Sequence, residues 1–195
     1  MGKGLFACLD ILKGTRILSE RPMFLMWPAP LDKIEGEIAK KLKTLPMADQ
    51  KRFLSLHNNY PGGKMPLFGI MKTNSAGMGA IYPTISRINH SCRPNSHNGW
   101  NTDTGYRTIP AIRDIKADEE ITYAYDSAGR STLRRQRLQD TFDINCTCER
   151  CQLPPSKRRS SDIRLARIQR LGPATENIAS VPATKNEKRA LDDPE

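Results

Sequence analysis

Four of the five cysteines in this chain fall into two groups that are far apart in the sequence. Cys92 stands alone, whereas Cys146, Cys148 and Cys151 form a Cys-x-Cys-x-x-Cys triplet. A short triplet can supply three thiolates to one tetrahedral ion, and the fourth ligand must then come from elsewhere in the fold. We therefore predict a structural zinc site with four cysteine ligands that ties the C-terminal part of the chain to its middle.

Two other interpretations of the triplet stay open. The triplet could form a buried turn with free thiols, or Cys148 and Cys151 could act as a redox pair. A redox pair of this kind would begin a helix in a βαβ unit, and the pattern before Cys148 does not predict one. The remaining cysteine, Cys8, is predicted to be a small core residue.

Composition limits the class of protein. A chain of 195 residues with 37% hydrophobic content is predicted to form one domain, followed by a polar tail from Pro154 onward. A net charge of +10 suits contact with nucleic acid or another acidic partner. The basic clusters at 130–137 and 157–159 are explained equally well as solvated helix faces.

No apolar run is long enough to cross a membrane and no signal peptide is visible, so we expect a soluble intracellular protein.

Hydrophobic periodicity predicts a mixed architecture. Two apolar runs within 5–20 flank a Lys13-Gly14 turn, which predicts a β-hairpin. Apolar spacing over 31–56 predicts two helices divided by Pro46, followed by a loop at 58–63. The other predicted elements are strands at 81–88, 106–112 and 120–125 and helices at 132–142 and 162–171.

Polar residues at the end of the strand predicted at 81–88 form the segment Asn89-His90-Ser91-Cys92-Arg93-Pro94-Asn95. Asparagine and histidine offer both donors and acceptors, so this segment could hold a polar ligand, or it could be only a hydrogen-bonded turn.

Two further motifs are short. Gly2-x-Gly4 is a weak signal alone, because a glycine pair often marks no more than a turn. Tyr123 and Tyr125 are two residues apart on a predicted strand and should face the same side.

Together these motifs resemble the SET-domain protein lysine methyltransferases. The family's Gly-x-Gly-Leu start, Asn-His-Ser-Cys-x-Pro-Asn segment, Glu-Glu-Ile-Thr-x-x-Tyr strand and cysteine triplet all occur here in order. The motifs lie at 2–5, 89–95, 119–125 and 146–151, and the resemblance covers about residues 1–30 and 81–152. The zinc ligands match the SMYD-like branch, but residues 31–80 contain no cysteine, so the resemblance implies a relative without the MYND zinc finger.

The resemblance implies a fold that is mainly β with α insertions. Its small sheets and pseudoknot-like C-terminal threading would be joined by a helical insert and a four-cysteine zinc loop. The core would occupy 1–30 and 81–127, the insert 31–80, the helix and zinc-binding segment 128–152, and a polar basic tail, partly helical or disordered, 153–195. Because the sequence opens at the glycine motif, we also expect a truncated start.

The implied activity is transfer of a methyl group from S-adenosylmethionine to a lysine of a histone or another protein. Tyr125 matches the catalytic tyrosine, Phe142 lines the lysine channel, and Tyr123 occupies the position that sets the degree of methylation. We therefore predict mono- or dimethylation. The residues implied to bind the cofactor are Gly2, Lys3, Gly4, Leu5, Asn89, His90, Tyr125 and Ile144.

Two other functions stay open. A SET-fold chromatin or protein-binding module would keep the fold without methylating, and retention of Tyr125, Asn89 and His90 argues against it. A zinc-stabilised nucleic-acid binder would show steep salt dependence and no cofactor binding. The predicted partners are a lysine-containing protein substrate and, weakly, nucleic acid or nucleosomes, with no membrane contact and a location in the nucleus or cytoplasm.

Overall fold

The computed structural model describes residues 4–26, 29–76, 79–126 and 129–179, so Gly2 and Lys3 lie outside the described residues. The described chain forms three small three-stranded sheets and five α-helices. The prediction of small sheets with helical insertions is confirmed. The strands are β1 (Leu5–Phe6), β2 (Arg16–Glu20), β3 (Phe24–Leu25), β4 (Ser75–Ala76), β5 (Ala80–Ile81), β6 (Asn89–His90), β7 (Gly99–Asn101), β8 (Tyr106–Pro110) and β9 (Glu120–Tyr123). The helices are α1 (Leu31–Lys43), α2 (Met47–Leu54), α3 (Pro66–Asn74), α4 (Ser131–Phe142) and α5 (Pro155–Ala179).

The sheets join parts of the chain that are distant in sequence. The strand orders are β1-β9-β6, β2-β8-β7 and β3-β5-β4. In the first sheet β1 runs antiparallel to β9, whereas β6 runs parallel to β9. This parallel pair places Asn89 opposite Thr122 and His90 opposite Tyr123. The polar motif and the tyrosine-bearing strand are therefore direct neighbours.

The predicted hairpin over residues 5–20 is wrong. β1 pairs with β9 and β2 pairs with β8, so the two strands belong to different sheets. Gly14 has a φ of +87° and does reverse the chain. A turn signal specifies the reversal but not the partner of each strand, and here both partners are supplied by the second half of the chain.

The helical insert packs around its own apolar cluster. Pro46 separates α1 from α2, as predicted, because proline lacks the N–H that a continuous helix needs. Ile34, Ile38 and Leu42 lie on one face of α1 and are buried in this cluster. α3 was not predicted, and the Glu35 carboxylate of α1 accepts hydrogen bonds from the first N–H groups of this helix, at 2.9 and 2.8 Å. The contact fixes α3 against α1.

The strand predicted at 81–88 is shorter than expected. β5 ends at Ile81, and the chain then forms a 3-10 helix at Ile85–Arg87. The Glu20 carboxylate accepts the N–H groups of Thr84 and Ile85 at the start of this turn. The apolar run reflects burial, since Ile85 and Ile88 are almost fully buried, rather than extended structure.

The segment after β6 is held to β9 by main-chain and amide hydrogen bonds. Ser91 N donates to Tyr123 O at 3.1 Å. The buried Asn95 side chain donates to Glu120 O at 2.8 Å and accepts from Thr122 N at 2.8 Å. Asn95 is thus a structural residue that fixes the end of the polar motif against β9.

The C-terminal part begins with α4, which matches the helix predicted at 132–142. Asp143 has a φ of 55° and ends the helix, and Ile144 N donates back to Leu138 O at 3.2 Å. After the cysteine triplet, α5 includes the helix predicted at 162–171 and extends beyond it. Asp162 of α5 accepts hydrogen bonds from the N–H and hydroxyl of Ser131, at 3.0 and 2.7 Å, which joins α5 to the start of α4.

Among the described helices, none combines the length and the apolar character that a membrane crossing requires.

Candidate active site and four-cysteine cluster

The cysteines predicted as metal ligands come together. The sulfur atoms of Cys92, Cys146, Cys148 and Cys151 all lie within 4.8 Å of one another. Cys92 Sγ is 3.9 Å from Cys146 Sγ and 3.6 Å from Cys151 Sγ. Zinc with Zn–S bonds of about 2.3 Å in tetrahedral geometry separates its sulfur atoms by about 3.8 Å. The spacing of the cluster therefore fits a four-thiolate zinc site.

Cys8 does not occupy the core. Its side chain is exposed, whereas the neighbouring Ala7 is buried. Ala7 exchanges main-chain hydrogen bonds with the 118–119 turn, at 3.0 and 2.8 Å, in extended chain that continues β1. Because successive side chains of an extended segment point to opposite sides, burial of Ala7 directs Cys8 to the surface.

The cluster holds thiols whose protonation states differ. A hydrogen bond with Cys92 lowers the pKa of Cys148 to about 3, whereas burial raises the pKa of Cys146 to about 11. The same hydrogen bond and burial raise the pKa of Cys92. Without a cation the cluster therefore retains protons, and binding of a divalent metal would release them.

Arg134 lies against this cluster. The residue has 0% exposure, and its Nε donates to Cys92 Sγ at 3.1 Å. Burial opposes the guanidinium charge, but the hydrogen bond to Cys92 and the charges of Cys92 and Cys151 raise the pKa of Arg134. Arg134 is thus not part of a solvated helix face, in contrast to that interpretation of the 130–137 cluster.

A cavity of about 630 Å³ lies beside the cluster. This volume is within the range of about 300–1,000 Å³ that small-molecule sites occupy. Four of the predicted site residues line the cavity: Asn89, Tyr125, Phe142 and Ile144. Residues from the polar motif, from the chain just after β9 and from the end of α4 therefore share one site.

Tyr125 is the centre of an aromatic group. Its ring centroid is 5.0 Å from that of Tyr123, 5.0 Å from that of Phe142 and 5.4 Å from that of His90. These separations are typical of favourable tilted and edge contacts between rings. Tyr123 packs behind Tyr125 and, unlike Phe142, is not among the residues that line the cavity.

The Tyr125 hydroxyl has a fixed partner and donates to Ile88 O at 2.6 Å. Burial raises the pKa of Tyr125, and burial also raises the pKa of Tyr123. Both phenols therefore stay protonated at neutral pH. Because the Tyr125 proton is directed to Ile88, the oxygen lone pairs are left to accept a hydrogen bond from another group.

Gly4 lies next to a pair of polar side chains. Asn89 Nδ2 donates to Glu120 Oε1 at 2.6 Å. A Cβ atom at Gly4 would overlap Glu120 Oε1 and would lie 3.0 Å from Asn89 Nδ2. Leu5, the next predicted residue, is paired with Ile121 in β9. The glycine motif therefore lies next to Asn89, the residue of β6 that lines the cavity.

Sequence reasoning missed the residues that the insert contributes to the cavity. Among them, Asn59 joins the insert to the end of α4. Its Nδ2 donates to Phe142 O at 2.6 Å, and its main-chain N–H donates to Thr73 Oγ1 at 3.1 Å. The loop signal at 58–63 was the only sequence indication of this role. The missed lining residues are Ser55, Leu56, His57, Asn58, Asn59, Thr73, Asn74, Ser86, Arg87 and Asp143.

Comparison with known proteins identifies the family. A family model described as SET domain matches residues 2–126. Histone-lysine N-methyltransferase set5 of Schizosaccharomyces pombe is 32% identical over 169 residues, which are 84% of this chain and 51% of that protein. Histone-lysine N-methyltransferase SMYD3 of Homo sapiens is 42% identical over 73 residues, 37% of this chain and 17% of that protein.

N-lysine methyltransferase SMYD2 of Homo sapiens is 26% identical over 149 residues, 69% of this chain and 33% of that protein. The chain thus spans about half the length of set5 and a smaller share of the SMYD proteins. The domain match at residues 2–126 covers more than half of the 195 residues. The chain therefore belongs to the SET-domain family.

Proposed function

We propose that the chain is an S-adenosylmethionine-dependent protein-lysine N-methyltransferase. The single observation that carries this proposal is the cavity in which Asn89, Tyr125, Phe142 and Ile144 meet. These residues come from three separate family motifs or their flanks, and a module that only binds proteins would not require them to converge.

Cofactor binding would use the polar and apolar sides of this cavity. S-adenosylmethionine, when bound, supplies a methyl group on a positively charged sulfur. The Asn89 amide would bind the amino-acid end, and Ile144 would pack against the adenine. Gly4 and Leu5 would contribute main-chain groups beside Asn89, and Gly2 and Lys3 would extend this contact.

The substrate lysine would enter between aromatic rings. An amine can attack a methyl group only when it is neutral, and free lysine has a pKa of about 10.4. The apolar surfaces of Tyr125 and Phe142 disfavour the ammonium form and so favour the neutral amine. The Tyr125 oxygen would accept a hydrogen bond from the amine and orient its lone pair, and Tyr125 would not act as a base because burial raises its pKa.

Tyr123 would limit the number of methyl groups transferred. Its ring packs against Tyr125 at 5.0 Å, and its hydroxyl is hydrogen bonded to Asn98. A hydroxyl held beside Tyr125 would leave less room for an amine that already carries methyl groups. We therefore propose that the products are mono- or dimethyllysine.

Zinc would be structural and would be held by Cys92, Cys146, Cys148 and Cys151. Four protein ligands leave no open coordination position, so the metal would not contact substrate. Closure of the triplet onto Cys92 would hold the preceding residues, Phe142 to Ile144, at the cavity.

The partners would be a protein substrate, such as a histone, and nucleic acid. Arginines dominate a second cavity of about 600 Å³ between α4 and α5, in which the one acidic side chain, Asp162, is already bonded to Ser131. Such a surface suits the phosphate groups of nucleic acid, including nucleosomal DNA, and the protein would act in the nucleus or cytoplasm. The arginines are Arg130, Arg158, Arg159, Arg167 and Arg170.

Calorimetric titration of S-adenosylmethionine into zinc-loaded protein tests cofactor binding, and radiolabelled methyl transfer to histones and to mixed lysate proteins tests catalysis. The wild type should bind and transfer. Asn89→Ala should lose binding, whereas Asn101→Ala, at the exposed end of β7, should retain it. No binding to folded, zinc-loaded protein would refute the proposal, and binding without transfer to any protein would indicate the non-catalytic module.

A further inference from the structure

The Cys92 sulfur lies within hydrogen-bond distance of two groups outside the cysteine cluster. His90 Nε2 is 3.2 Å from Cys92 Sγ, and Arg134 Nε donates to the same sulfur at 3.1 Å. The other ring nitrogen of His90, Nδ1, accepts the main-chain N–H of Tyr125 at 2.9 Å. Because Nδ1 is an acceptor, a neutral His90 ring carries its proton on Nε2 and donates it to the sulfur.

His90 therefore connects the cysteine cluster to the tyrosine of the cavity. The resemblance implies that this residue binds the cofactor, but both ring nitrogens of His90 already have hydrogen-bond partners within the protein. The contact with Cys92 fixes the ring, and the fixed ring holds the main chain at Tyr125. Displacement of the Cys92 sulfur would thus be transmitted to Tyr125 through one side chain.

Arg134 is placed to offset the charge of the cluster. Four thiolates around a divalent ion leave a net charge of −2 in a buried position, and such a charge is costly unless it is paired. Arg134 Nη1 donates to Gly129 O at 3.0 Å, and its buried Nη2 has no hydrogen-bond partner among the described residues. Its positive charge therefore faces the sulfur atoms rather than a salt-bridged carboxylate.

We propose that His90 and Arg134 are positioning residues, which hold the Cys92 thiolate by hydrogen bonds and couple the metal cluster to the main chain of Tyr125. The proposal rests on zinc binding as proposed above, but not on methyl transfer. It predicts that these two residues, which are not metal ligands, determine how tightly zinc is held.

Each of the following variants removes a different contact that Arg134 or His90 makes with Cys92 or Tyr125. Arg134→Leu removes both the charge and the donor, whereas Arg134→Lys keeps the charge and loses the planar donor. His90→Asn places an amide oxygen near the position of Nδ1, so it can still accept the Tyr125 N–H while it loses the donor to sulfur. Arg167→Leu and His97→Asn are matched controls, because both side chains are exposed.

Competition with a chromogenic chelator measures the zinc affinity of each variant. Arg134→Leu and His90→Asn should each weaken zinc binding by about 10- to 100-fold, the usual effect of losing a group that supports a metal ligand. Arg134→Lys should fall between Arg134→Leu and the wild type, and the controls should match the wild type. Zinc affinities of Arg134→Leu and His90→Asn within twofold of the wild type would overturn the proposal.

Nitrogen NMR of the His90 ring tests the coupling without any variant. Zinc-loaded wild type should show a neutral ring with its proton on Nε2 and with Nδ1 as an acceptor. His90→Ala should shift the Tyr125 amide proton resonance more than His90→Asn does. A proton on Nδ1, or equal shifts in both variants, would refute the proposal even if Arg134→Leu fails to fold, and neither readout depends on cofactor or methyl transfer.

Discussion

Replacement of Gly4 by alanine gives a direct test of the glycine motif. The added Cβ would overlap Glu120 Oε1 and would lie 3.0 Å from Asn89 Nδ2, so the carboxylate must move. Its movement breaks the hydrogen bond of 2.6 Å between Glu120 and Asn89. A hydrogen bond to a charged group contributes about 1.5–3 kcal/mol.

If Asn89 binds the cofactor as proposed, this loss should appear in cofactor affinity. Because about 1.4 kcal/mol corresponds to a tenfold change, Gly4→Ala should weaken S-adenosylmethionine binding by about tenfold to 100-fold in calorimetry. Gly36→Ala is the matched control, since a Cβ at that position meets no atom within 4 Å. The control should stabilise α1 by about 1 kcal/mol and leave cofactor affinity unchanged.

A double variant shows whether the overlap with Glu120 causes the loss of cofactor affinity in Gly4→Ala. Glu120→Ala removes the atom that the new Cβ would strike, so Gly4→Ala should have a much smaller further effect in that background. Cofactor affinity of Gly4→Ala within twofold of the wild type would refute the reasoning about the close approach. An equal effect of Gly4→Ala with and without Glu120 would show that the main chain, not the carboxylate, requires glycine.

Four further outcomes are expected. Tyr125→Phe should lower kcat by about 100-fold or more while cofactor affinity is kept, and near-full methyl transfer would contradict the role of its hydroxyl. Tyr123→Phe should shift the products, followed by mass spectrometry, toward higher methylation, and an unchanged distribution would count against the proposed limit. Chelation with demonstrated zinc loss should abolish cofactor binding, and full activity afterwards would show that the cluster does not support the cavity. The hydrogen bond from Arg113 holds the pKa of Glu119 at about 2, so this stabilisation is present above pH about 4.5 and is lost as pH falls toward 2. Arg113→Ala should therefore move acid unfolding, followed by circular dichroism, to a higher pH, and an unchanged midpoint would contradict this.

Local signals in the sequence predicted the parts of the fold that short segments determine. Pro46 ends one helix because of its own chemistry, and the α4 helix follows from its local pattern. The cysteine spacing predicted the cluster, because three thiols within six residues can all reach one metal ion.

Long-range pairing was not predictable in the same way. The Lys13-Gly14 turn is visible in sequence, but the pairing of β1 with β9 depends on residues more than a hundred positions away. Arg134 looked like one of several surface arginines, and only the folded chain places it against Cys92. Asn59 carried a loop signal, which says nothing about the carbonyl that it bonds at the end of α4.

The hydrogen bond between Asn59 and Phe142 has a consequence for the order of folding. The two residues belong to segments that leave the ribosome far apart in time, and the cavity needs both. A nascent chain can therefore complete its core sheets before it can complete the cavity, and the cysteine triplet emerges later still. Cofactor and zinc should accordingly be captured last, and each should stabilise the finished fold by mass action, because neither has its full site in the unfolded chain.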